Sequence, residues 1–133
     1  MRALTVVLIM AAFSAFSYTA PQQANVGQEK HNMRMKKDTV KNDSTEYELI
    51  IFDSRFETWY LTRNKPSWYH SESYYEHWNQ RYVNEWNYRY HLGDMRFDSY
   101  IDYQRTKDYG LELEHKLYYF FEYFQEVNNI SLK

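Results

Sequence analysis

The residue types that most often perform chemistry are present here, but not at spacings that build a familiar reaction centre. The chain has 133 residues and no cysteine, which removes disulfides, thiolate nucleophiles and thiolate metal sites. His70, His77, His91 and His115 are dispersed. They form neither an HExxH pattern nor any other ligand spacing, so they are expected at the surface. Hydrolysis of a glycoside needs two carboxyl groups ~5–9.5 Å apart beside a ring that stacks on sugar. Asp98, Asp102, Asp108, Glu112 and Glu85 are the carboxylates that such a reaction could recruit. Glu85, however, lies one helical turn from both Arg81 and Arg89, which is the layout of an ion-pair ladder. Asp102 and Asp108 read as capping or turn residues. No GxSxG elbow is present, and three glycines leave no phosphate loop. No catalytic residue, metal ligand or cofactor is therefore expected.

The positive signal is aromatic. Phe, Trp and Tyr make up 20% of the chain. From Thr45 to Lys133 there are 14 Tyr, 4 Trp and 6 Phe, together with 15 acidic and 10 basic residues, a formal charge of −5. That acidity disfavours nucleic acid, whose phosphates require a basic surface. A segment of ~90 residues buries only ~60–65% of its unfolded surface, so some of these rings must stay half-exposed. Tyr and Trp offer broad, rigid contact area with a polar edge, suited to a protein partner or a sugar face. Tyr74, Tyr88, Tyr119 and Tyr123 fall off the predicted apolar stripes or at their margins. With the neutral hydrogen-bonding groups of Asn84 and Asn87, they are the candidate binding residues.

The elements that must position these residues follow from periodicity. Tyr47–Phe52 is short, β-branched and aromatic, apolar on nearly both faces, and predicts a covered strand. Ser54-Arg55-Phe56-Glu57 has capping-box spacing and opens a short helix that ends before Pro66. Ser73-Tyr74-Tyr75-Glu76 repeats that spacing. It opens a long helix reaching about Leu92, with Gly93 as a left-handed cap. Tyr75, Trp78, Tyr82, Trp86 and Tyr90 make its inner stripe. Tyr100–Tyr103 is predicted as a short strand. A last helix, 110–128, buries Leu113, Leu117, Phe120, Phe121, Phe124 and Val127 and turns Glu112, His115, Lys116, Glu122 and Glu126 to water. Ile130–Leu132 would add an edge strand. The expected class is α+β, with two long amphipathic helices and one short helix packed on a small two- or three-stranded sheet.

Residues 1–17 combine Arg2, an uncharged apolar run and small residues, Ala15 and Ser17, at −3 and −1 of a cut after Ser17, the layout of a secretory signal peptide. The run is short of the ~20 residues a spanning helix needs. Residues 18–44 are mixed in charge with an excess of lysine and arginine. They read as a flexible basic linker whose charge would permit contact with an anionic membrane surface. Residues 45–133 form the domain.

Certain runs also resemble a known family. They are Tyr47-Glu48-Leu49-Ile50-Ile51, Phe56 and Trp59, the run Asn79-Gln80-Arg81-Tyr82-Val83-Asn84-Glu85-Trp86-Asn87, Ile101-Asp102-Tyr103, Asp108-Tyr109-Gly110-Leu111-Glu112 and Leu117-Tyr118-Tyr119-Phe120. Together they resemble the exported bacterial domain family of unknown function numbered 6146, typical of Bacteroidetes. The resemblance implies export to the cell envelope and brings no activity with it. Many relatives look like lipoproteins with a cysteine after the signal segment; this chain has none, so no lipid anchor is expected. The combined expectation is an exported periplasmic or cell-envelope protein, non-enzymatic, acting by binding or assembly with an envelope protein partner. A carbohydrate-binding module is the first alternative and a small hydrolase the second.

Overall fold

The computed structural model describes residues 33–39 and 45–133. In chain order the elements are β1 (Met33–Thr39), β2 (Thr45–Ile51), α1 (Ser54–Arg63), a single 3₁₀ turn (Ser67–Tyr69), α2 (Glu72–His91) and α3 (Leu111–Asn128). The strands form a two-stranded antiparallel sheet in the register Met33↔Ile51, Met35↔Leu49 and Lys37↔Tyr47. The class is α+β, as expected. The segment expected as a signal peptide lies outside the described residues, as do 18–32 and 40–44 of the expected linker.

Strand β1 corrects the linker reading. A lone strand leaves a row of unpaired amides and carbonyls, so β2 requires a partner, and the basic segment supplies it. Its alternation Met33-Arg34-Met35-Lys36 sends both methionines to the core and leaves Arg34 and Lys36 exposed. On strand β2, Tyr47, Leu49 and Ile51 pack on the core, while on the other face Glu48 is exposed and Ile50 half-buried. The two further predicted strands are irregular coil. Ile101, Tyr103 and Leu132 are buried there, but side chains satisfy the backbone instead of a ladder. Asn87 bonds both Ile101 N and Ile101 O at 2.9 Å, and Gln125 Oε1 accepts from Leu132 N at 2.9 Å.

Helix starts fall slightly upstream of the predicted ones. Asp53, one residue before Ser54, caps α1, its Oδ1 accepting from Arg55 N at 3.0 Å. Ser71 caps α2, its Oγ accepting from Tyr74 N at 3.2 Å. Asp53 and Ser71 thus accept from first-turn amides upstream of the ones that the predicted boxes would have served. Gly93 closes α2 at φ 77°, a left-handed conformation that a Cβ would strain.

Helix α3 is the hub, packing against α2, α1, β2 and the 3₁₀ turn. Trp86 of α2 meets Phe124 at 4.5 Å and Phe97 at 4.9 Å between ring centroids, which sets the centre of the core. Three predicted orientations change. Val127 is exposed, His115 is buried, and Tyr90 lies at the surface. The solvent-free arc of α3 is wider than one stripe because partners flank it on several sides.

Candidate functional site

Consecutive positions on α3 put Tyr118 and Tyr119 on the surface between α1 and α2, each half-buried. From there a line of rings runs in both directions. Tyr118 meets Tyr74 of α2 at 6.0 Å, and Tyr74 stacks on His70 at 3.9 Å with 19° between planes. Tyr119 meets Tyr60 at 5.8 Å and Trp59 at 6.4 Å, both from α1. The hydroxyl of Tyr119 accepts from Lys65 N at 2.9 Å, fixing the α1 exit to α3. Burial raises the pKa of both Tyr118 and Tyr119, so these hydroxyls stay neutral.

At the Trp59 end the band opens into a shallow groove of about 460 Å³ between α1 and α3. Trp59, Tyr118 and Tyr119 supply rings, and Arg63, Glu122 and Glu126 supply charge. Arg63 Nη1 lies 3.3 Å from Glu126 Oε2, and its guanidinium sits 6.0 Å from the Trp59 ring centre. Glu122 Oε1 accepts from the buried Tyr82 hydroxyl at 2.6 Å. On the far side of Trp59 a second, more apolar groove of about 440 Å³ is lined by Thr58, Thr62, Tyr123 and Val127. The first groove offers rings, one cation and two carboxylates, and the second adds Arg55, a set that binds by contact and hydrogen bonding.

The candidate residues divide. Tyr74 and Tyr119 share the band. Tyr88 is 59% exposed but lies on α2 fourteen residues from Tyr74, about 21 Å along the axis. Asn84 is exposed and accepts from Gln80 at 2.9 Å. Asn87 is a clamp on Ile101 and not a free recognition group. Tyr123 is 1% exposed and donates to Asp53 Oδ2 at 2.6 Å, so it is a core residue. It left the surface because α1 packs over that side of α3, which periodicity along α3 cannot show.

Of the carboxylates singled out for acid–base work, four are held in separate local bonds, and Asp98 stands apart from them with a buried Oδ1 that has no hydrogen-bond partner. Glu85 pairs with Arg89 at 2.6 Å, while Arg81 turns instead onto the Trp78 ring at 5.0 Å. Asp102 accepts from Gln104, Asp108 from Gly110 N and Glu112 from Ser67. Among the described residues, no three His, Cys, Asp or Glu side chains converge as metal ligands.

Two buried titratable groups stand side by side on α3, and neither was singled out as buried from sequence. Glu114 is 1% exposed. It accepts from Asn79 Nδ2 at 2.6 Å and from the Tyr103 hydroxyl at 3.1 and 3.3 Å. Burial pushes its carboxyl up to about 7, against the opposing effect of those two donors. His115 faces the other way, toward α1. Its Nε2 lies 2.7 Å from Lys65 O, which can only accept, so Nε2 carries the proton. Tyr60 then donates to Nδ1 at 2.9 Å. The neutral ring suits burial, which lowers its pKa.

The profile of a family of unknown function (DUF6146) matches residues 6–133. The chain belongs to that family. No curated protein and no solved structure showed a match to it. In this DUF6146 member the groove residues Arg63, Tyr118, Glu122 and Glu126 come from two helices far apart in sequence. Their only advance signal was that Tyr118 and Tyr119 sit beside each other, so that both cannot lie at the centre of one buried stripe.

Proposed function

We propose that this DUF6146 protein is an exported cell-envelope component that works by binding, not by catalysis, and that its surface for an envelope protein partner is the aromatic band and groove between α1 and α3. The observation that carries the reading is the continuity of His70, Tyr74, Tyr118, Tyr119 and Trp59 into a groove with charge of both signs. Half-exposed tyrosines already ordered by their neighbours lose little side-chain freedom on binding, which favours contact with a protein surface. Export to the periplasm or envelope is supported by the leader-like residues 1–17, and the separate local bonds of Glu85, Asp102, Asp108 and Glu112 favour a non-enzymatic role.

The test is affinity capture of the full-length protein from cross-linked envelope extract, read by mass spectrometry. A Tyr74→Ala, Tyr119→Ala variant of verified fold runs beside a Tyr88→Ala control. The reading expects one partner captured by wild type and by the control and lost in the double variant. A partner that survives the double variant, or falls away with Tyr88→Ala alone, moves the surface elsewhere. Capture of nothing specific refutes an assembly role.

A further inference from the structure

Glu114 stands where three parts of the fold meet: Asn79 of α2, Tyr103 of the segment leading into α3, and α3 itself. Among the described residues no ammonium or guanidinium pairs with it. The hydrogen-bond arithmetic of this cluster is one donor short. Asn79 Nδ2 donates to Glu114 O at 2.8 Å and to Glu114 Oε2 at 2.6 Å, which uses both its protons. The Tyr103 hydroxyl gives its one proton to the same carboxyl. Asn79 Oδ1, in a side chain with 0% exposure, is then a buried acceptor with no donor. Such an orphan costs about 1–3 kcal/mol. A carboxylic acid and a primary amide can pair through two hydrogen bonds, whereas a carboxylate and an amide pair through one, so a proton on Glu114 would offer this acceptor a donor.

We propose that Glu114 is a proton-binding site that acts as a latch: the neutral carboxyl closes the 103–110 segment onto α2 and α3, and loss of the proton releases that segment. The charged groups around it push in one direction, against the Asn79 and Tyr103 hydrogen bonds, which favour the carboxylate. Glu72 and Glu76 face it from α2, and both disfavour its charge. Tyr103 and Tyr109, stacked on each other at 5.1 Å, face it from the segment, with Asp102 and Asp108 at the segment's rim. Tyr47 of β2 packs behind Tyr109 at 4.7 Å. On α3 itself, Glu112 is engaged by Ser67, and His115 is turned away to Tyr60 and Lys65. An ionised Glu114 therefore gains water only by parting from Tyr103. Burial's upward push on its pKa agrees with this direction.

The segment carries its own reporter, because Arg105 and Lys107 are tryptic sites within it. The experiment measures trypsin cleavage after Arg105 in the full chain at pH 6.0 and pH 8.5, normalised at each pH to an unstructured peptide. Wild type is expected to be cut about tenfold faster at the higher pH, as local opening couples to proton loss. Glu114→Gln keeps an acceptor and adds a permanent donor for Asn79 Oδ1, so its normalised rate should not change with pH. Tyr103→Phe should be cut rapidly at both. Equal normalised rates for wild type at the two pH values would overturn the latch, as would the same pH rise in Glu114→Gln. If Glu114→Gln does not fold, carbon-13 titration of wild type decides: a Glu114 carboxyl titrating near neutrality supports the latch, and one titrating below about 5 refutes it.

Discussion

At the scale of single residues, the side chains that matter most bond backbone that no regular element serves. Asn87 does this for Ile101, and the Trp86 indole does it for Ser99 O at 2.7 Å. Replacing Asn87 by Ala would leave the Ile101 amide without a partner, while the Ile101 carbonyl keeps Tyr103 N at 3.1 Å, and should cost about 1–3 kcal/mol in urea unfolding. Asn87→Asp should be worse than a conservative change suggests, because a carboxylate oxygen would then face the Ile101 carbonyl. The type of Asn87 was visible in sequence. Its duty was not, since Ile101 arrives across 14 residues through a turn that periodicity does not describe.

Among elements, helix ends were the most legible feature and strand pairing the least. Gly93 was expected to be left-handed and is, at φ 77°, with open space where a Cβ would stand. Gly93→Ala should therefore destabilise by conformation alone, by about 1 kcal/mol on thermal unfolding. Asn129 adopts the same region at φ 49°, so Asn129→Gly should be neutral or slightly stabilising. Strand β1 escaped notice because basic residues interrupt its two methionines, while a hydrophobic run is the usual sign of a strand. Met33→Ala should cost about 2 kcal/mol or more if the hairpin belongs to the folded unit. An unchanged midpoint would return that segment to the status of a linker.

For the whole molecule, the neighbouring buried groups of α3 give stability two opposing pH dependences. Glu114 has a raised pKa in the folded state. Its contribution is complete below the ordinary carboxylate range and is lost as pH rises through about 7. His115 has a lowered pKa in the folded state. Its contribution is present above about 6.5, the unfolded value, and is lost as pH falls through the lower folded one. In the acidic range, up to about 6.5, the two oppose each other and hold the wild-type thermal midpoint nearly level, and from there to about 7 the Glu114 loss is unopposed and the midpoint should fall. Glu114→Gln should remove the fall near neutrality and uncover the His115 loss on the acidic side.

By itself the sequence determined what is local or cumulative: the α+β class, the extents of three helices, the left-handed glycine, the lack of cysteine chemistry and a surplus of rings larger than a small core can hide. Each follows from short-range sterics or from totals that no folding can alter. Only the tertiary structure decided which rings meet. It placed Tyr74 and Tyr119 on one band, took Tyr123 into the core and turned His115 inward. Those outcomes depend on which neighbour covers each side of α3. Coverage is a property of packed pairs distant in sequence, so it is absent from the pattern of any single element.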